Sequence, residues 1–128
     1  MHTKSGFSER PWGNYVKLFE ESGVWVKRVE VDPGQRLSLQ KHKYRSEKWN
    51  IVSGQGVVIL DGQEIKVGPG SVLDVPVGCV HRIGNTGHDP LVFIEVACGE
   101  RLSEDDIERI QDDYARKNND HLGKKDRT

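Results

Sequence analysis

Between Val24 and Val96 the chain is a succession of short alternating or β-branched runs broken by turn-forming residues, the signature of an all-β sandwich or barrel. The spacing predicts strands over 24–31, 36–42, 47–52, 57–60, 64–67, 71–75 and 91–96. The breaks fall at Asp32-Pro33-Gly34, Ser53-Gly54, Asp61-Gly62, Gly68-Pro69-Gly70 and Asn85-Thr86-Gly87. Asp61-Gly62, set between Val57-Val58-Ile59-Leu60 and Glu64-Ile65-Lys66-Val67, is the strongest hairpin signal.

The pattern changes after Cys98. Ser103-Glu104-Asp105-Asp106 reads as an N-cap with an acidic first turn, and Ile107, Ile110 and Tyr114 follow at helical spacing, so a helix is predicted over about 104–116. A chain of 128 residues suits one domain. Its expected divisions are an N-terminal segment (1–20) whose Trp12, Tyr15 and Phe19 cover the barrel, the barrel itself (21–102), the helix (103–117) and a disordered polar tail (118–128). The 19 Lys and Arg against 20 Asp and Glu leave a net charge of -1, which offers no general attraction to nucleic acid or to an anionic membrane. No apolar run reaches the length of a signal peptide or a membrane span. Cys79 and Cys98 form no motif and read as ordinary thiols, so a soluble cytoplasmic protein is expected.

The chemistry-bearing residues are clustered. Gln40 and His42 are two apart and share one face of a strand, Glu47 opens the next strand, and hairpins can fold His81 back onto them. Two imidazoles, a carboxylate and an amide oxygen make a mixed nitrogen and oxygen set for a divalent first-row metal, with no thiolate to close a structural zinc site. Lys27 shares its face with Val29 and Val31. It is therefore a phosphate-binding or proton-transfer candidate if those valines point inward, and a solvated edge lysine if they do not. Glu95, among Val92, Phe93, Ile94 and Val96, is either a proton-transfer group or one half of a structural ion pair. Arg45 is a bidentate ligand-binding candidate or a solvated loop residue. Arg36 and Ser38 share the parity of the metal set, with Arg36 at the cavity mouth, Arg82 is a further basic group there, and Trp49 either walls the cavity or simply packs.

The spacing of Gly34, Gln40, His42, Glu47 and Gly54, and of Gly70, Pro76, Gly78, His81 and Asn85, resembles the paired motifs of the cupin superfamily, with Gln40 where many members have His. The match narrows through Arg10-Pro11-Trp12-Gly13-x-Tyr15, Pro33-Gly34-x-x-Leu37-Ser38-x-Gln40-x-His42-x-x-Arg45-Ser46-Glu47-x-Trp49, and Pro76-x-Gly78-x-x-His81-Arg82. Pro90-Leu91, Ile94-Glu95-Val96 and Glu104-Asp105-Asp106-Ile107-x-Arg109 extend it, and together they are similar to the type II phosphomannose isomerases. That resemblance implies a cupin, a jelly-roll-like double-stranded β-helix barrel, with a divalent metal, usually zinc, on Gln40, His42, Glu47 and His81. It also implies a mannose-6-phosphate isomerase acting through a cis-enediol on a phosphosugar. Lys27, Arg45 and Glu95 are its catalytic candidates, and Arg36, Ser38, Trp49 and Arg82 its substrate-binding candidates. A non-catalytic metal-binding sugar sensor and an iron-dependent cupin oxygenase are the alternatives. Apolar outer sheet faces, with Leu37 and Leu39 opposite in parity to the metal set, predict a homodimer. Two positions depart from the family pattern: Ala97 stands where Gln is common, and Tyr114-Ala115-Arg116 where Tyr-Gly-Arg is common.

Overall fold

The computed structural model describes residues 6–116, so the tail expected over 118–128 lies outside the described residues. The strands are β1 (Phe7–Arg10), β2 (Gly13–Glu21), β3 (Val24–Val31), β4 (Leu39–Lys41), β5 (Ser46–Ser53), β6 (Gly56–Leu60), β7 (Gln63–Val67), β8 (Val72–Val75), β9 (His81–Asn85), β10 (Leu91–Cys98) and β11 (Glu108–Gln111). They form two antiparallel sheets, one ordered β1-β2-β3-β10-β5-β8 and the other β11-β4-β9-β6-β7. Among the described residues no helix is long and apolar enough to cross a membrane.

Period-two alternation sets the inside of the barrel. Along β3, Trp25, Lys27, Val29 and Val31 are buried while the residues between them are only partly covered. The same rule turns Glu47, Trp49 and Ile51 of β5 and Phe93, Glu95 and Ala97 of β10 inward. Register then aligns like with like. Phe93 lies opposite Val29 and Ile51, whereas Glu95 lies opposite Lys27 and Trp49, and Ala97 opposite Trp25 and Glu47. The interior is therefore apolar at one end of these strands and charged at the other. Ala97 is fully buried between Trp25 and Glu47.

Three sequence expectations change. The N-terminal segment is not a cover: β2 pairs with β3 along its length and β1 pairs with β2, so Trp12 and Tyr15 belong to the core while Phe19 is exposed. The strand expected over 36–42 shrinks to β4 plus a single bridge from Arg36 to Gly84, and Leu37 packs partly against the core. Among the described residues no C-terminal helix forms. Instead, turns lead from residue 99 to β11, which pairs with β4. The cause is local competition: the Ser103 hydroxyl and carbonyl accept from the Asp105 and Asp106 amides, and short polar side chains of this kind favour turns over helix interiors. The chain then gains a sheet ladder that a helix would forgo.

Backbone conformation explains two motif positions. Gly78 has φ 80°, and its amide donates to the His42 carbonyl at 2.8 Å, so this turn fixes the backbone at His42, just past the end of β4. Ala115 occupies the left-handed region with φ 55°, at the position where the resembled family commonly has glycine, and the Cβ there costs about 1 kcal/mol.

Candidate functional site

His42, Glu47 and His81 are buried, and one ligand atom from each lies within 4.8 Å of the others. Gln40 on β4 pairs directly with His81 on β9, which brings the amide to the same cluster. The surroundings aim these groups. His42 Nδ1 donates to the Asp106 carbonyl at 2.7 Å, and His81 Nδ1 donates to the Cys79 carbonyl at 2.9 Å. With the proton held on Nδ1, each ring presents Nε2 as a lone pair toward the interior, the arrangement typical of imidazole metal ligands. The Gln40 amide nitrogen donates to Ser38 Oγ at 2.9 Å, which leaves Oε1 as the atom offered to the cluster. Glu47 is steadied by the Trp49 indole at 2.9 Å on one oxygen and by Arg45 Nε at 2.8 Å on the other.

Electrostatics agree with ligation. Burial lowers the His42 imidazole to about 4, and burial likewise lowers His81, so both rings are neutral near pH 7. Burial alone, the largest influence, would raise Glu47, but the Arg45 charge and hydrogen bond together with the His42 and His81 rings outweigh it and hold the carboxyl down at about 2. The donor set therefore fits a divalent cation. Arg45 balances the site without one, its Nη2 standing 3.4 Å from His42 Nε2, and it would have to draw back for an ion to take that lone pair.

Beside the cluster lies a cavity of about 80 Å³ lined by Gln40, Glu47 and His81 and by Lys27, Arg45, Trp49 and Glu95. Arg10, Tyr15, Glu104, Ile107, Arg109 and Arg116 complete much of its wall. Lys27 is only 4% exposed and pairs with Glu104 at 2.8 Å. Glu95 accepts from the Trp25 indole at 2.9 Å, and burial, with the Glu47 charge adding to it, pushes the Glu95 carboxyl up to about 7.

Other candidates lie elsewhere. Arg36 is half exposed and binds Asp113 at 2.7 Å, and Arg82 donates to the Leu37 carbonyl at 3.0 Å and to Gln111 at 3.2 Å. Both tie the C-terminal strap, residues 103–116, to the barrel. Ser38 is fully buried beneath Gln40 rather than among the residues that line the cavity.

Sequence reasoning missed Glu104 and Asp106. Asp106 accepts from the Lys43 and Tyr44 amides at 2.7 and 2.8 Å while its carbonyl holds His42. The Glu104-Asp105-Asp106-Ile107-x-Arg109 string contained both residues, but its spacing suggested a helix whose acids would face solvent.

Known proteins place this site in context. The alginate biosynthesis protein AlgA of Pseudomonas aeruginosa is 43% identical over 107 residues, which is 84% of this chain and 22% of that protein. The mannose-1-phosphate guanylyltransferase of Escherichia coli is 40% identical over 107 residues, with the same two coverages of 84% and 22%. This chain thus spans about a fifth of the length of those relatives. These findings correct the expected activity. The relatives are named for guanylyl transfer and polysaccharide synthesis, the match is confined to a small part of each, and the assignment as a mannose-6-phosphate isomerase does not stand. Among solved structures, a sugar phosphate isomerase of the cupin superfamily from Silicibacter pomeroyi superposes with a TM-score of 0.62 at 25% identity, covering 70% of this chain and 59% of that one. The barrel is a cupin. The family model described as mannose-6-phosphate isomerase C-terminal matches residues 1–112, and the chain belongs to that family.

Proposed function

We propose that this chain is a metal-centred binding domain for a phosphorylated sugar, with zinc held by Gln40, His42, Glu47 and His81. The observation that carries the reading is the paired tautomer control: two buried imidazoles, each with Nδ1 committed to a backbone carbonyl, converge through Nε2 on a buried carboxylate. A bound divalent ion supplies Lewis acidity toward a hydroxyl or carbonyl oxygen of the ligand. The protein's own groups do the rest. Trp49 and Tyr15 give the sugar ring an apolar wall, Arg45 keeps Glu47 ionised, and the cationic side chains of the cavity match an anionic substituent. The relatives' names, with mannose 1-phosphate as a substrate and mannose 6-phosphate in the family description, support a hexose phosphate as the ligand class.

The test is calorimetric. Metal-free protein titrated with zinc is expected to take up an equimolar amount, and His81→Ala to lose that uptake. The zinc-loaded protein should then bind mannose 6-phosphate in preference to mannose. Absence of zinc uptake by the wild type, or equal affinity for the two sugars, overturns the reading.

A further inference from the structure

Three cations converge on one indole. Lys17 Nζ lies 4.5 Å and Lys27 Nζ 4.2 Å from the centre of a Trp25 ring, and the Arg45 guanidinium lies 5.0 Å from it. Lys27 also sits 4.0 Å from the Tyr15 ring. Such a concentration of positive charge on a barrel wall requires negative charge nearby. Glu47 meets the Arg45 charge at 2.8 Å, and two further buried or half-buried carboxylates, Glu95 and Glu104, face the cluster. Glu95 is fixed, because its strand is paired on both sides and its oxygen takes the Trp25 indole proton. Glu104 differs: it lies on the turn segment between β10 and β11 and enters from outside the sheets. Its oxygens reach Lys27 at 2.8 and 3.0 Å and Lys17 at 3.5 Å. Lys17 has a second partner in exposed Glu20 at 3.1 Å.

We propose that Lys17 and Lys27 form the subsite for the phosphate monoester of the ligand, and that Glu104 occupies it as an internal stand-in that must yield when the ligand arrives. The inference rests on the sugar-phosphate reading above and adds the place of the anion and the group that guards it. Volume points the same way. The cavity of about 80 Å³ holds only a few waters, well short of the roughly 300 Å³ at the low end of small-molecule sites, so part of its wall has to move. Glu104 is the lining group best placed to do so. It sits on the strap rather than in the barrel ladder, and a phosphate monoester, at about −1.5 to −2 near pH 7, offers the two lysines more negative charge than the single carboxylate it displaces. Arg45 approaches the same indole and donates to the Ser103 carbonyl at 2.9 Å, so the strap residue next to Glu104 is also in contact with the cation cluster.

The experiment uses the full chain in chelator with inorganic phosphate as the probe, so it reads the lysine subsite without the metal. Its failure is therefore separate from a failure of zinc binding. Glu104→Gln is expected to bind phosphate at least about tenfold more tightly than the wild type, because a competing charge is removed. The double variant Glu104→Gln with Lys27→Met, which removes both charges of the pair, is expected to lose that binding. Should Glu104→Gln fold poorly, the wild type still decides the matter. At saturating phosphate the amides of 103–107 are expected to exchange faster with solvent deuterium as Glu104 leaves. Equal phosphate affinity in the wild type and Glu104→Gln, retained affinity in the double variant, or unchanged exchange in the wild type each overturn the proposal.

Discussion

The two ends of the barrel interior are built from the same strands and differ in what those strands turn inward. At one end Val31, Ile51, Leu91 and Ile83 are at most 1% exposed and make an ordinary apolar core. At the other, one or two alternate positions further along, the same strands place Lys27, Glu47, Glu95 and His81 at no more than 7% exposure. The apolar end tolerates hydrophobic swaps at constant volume, usually at a cost below about 1.5 kcal/mol. The charged end holds only because each member has a partner: Lys27 has Glu104, Glu47 has Arg45 and Trp49, Glu95 has Trp25. Apolar packing tolerates substitution, whereas removing one partner of a buried pair strands the other.

Arg45→Met tests that contrast most severely. It leaves Glu47 buried beside two neutral imidazoles and breaks the tie to Ser103, and in chelator it is expected to cost about 3–5 kcal/mol in urea unfolding. Zinc should return more stability to this variant than to the wild type, since the ion meets an unneutralised carboxylate and no guanidinium beside His42 Nε2. A loss below about 1 kcal/mol would put the charged end on the same footing as the apolar one.

Glu95 sharpens the comparison through pH. Its carboxyl is raised from 4.5 in the unfolded chain to about 7 in the folded one, mainly by burial. The folded state therefore binds the extra proton, and the stability this contributes is complete below about 4.5 and lost as the pH climbs through about 7. Glu95→Gln stays neutral throughout. Relative to the wild type it is expected to gain stability between about pH 5 and pH 8, by up to about 3 kcal/mol, read from thermal unfolding in chelator. A difference that is flat with pH would mean that Glu95 remains ionised inside the barrel.

The sequence reveals the two ends unequally. Parity along a strand needs only local information, so the inward face of Lys27 with Val29 and Val31, and the shared face of Gln40 and His42, could be read directly and recur in the fold. The motif spacing carried Glu47 and His81 to the same place. The strap was not readable by these means. Ile107, Ile110 and Tyr114 fit a helical period, and nothing local reveals that β4 has an unpaired edge that β11 can fill. Glu104 and Asp106 acquire their roles from residues about 60 to 80 positions away in the chain, as the Glu104 pairing with Lys27 and the Asp106 contacts with His42, Lys43 and Tyr44 illustrate.

Asp106→Ala is the gentlest of the three substitutions and the one that tests whether the strap belongs to the metal cluster. The Asp106 carboxylate closes on the Lys43 and Tyr44 amides, and this clamp sets its carbonyl 2.7 Å from His42 Nδ1. Without the carboxylate the carbonyl is no longer held against the ring, and the Nδ1 proton loses its fixed acceptor. His81 is unaffected, since its acceptor is the Cys79 carbonyl two residues away. One of two imidazoles then samples both tautomers, and zinc affinity is expected to fall by about 10–100-fold, the range for losing a partner that orients a metal ligand. Competition with a coloured chelator measures the affinity, and the ring nitrogen shifts of His42 in metal-free protein report the tautomer independently. Unchanged affinity with an unchanged tautomer would mean that the barrel alone orients His42. A mixed tautomer with reduced affinity would make the strap, which also delivers Glu104 to the lysines, part of both halves of the charged end.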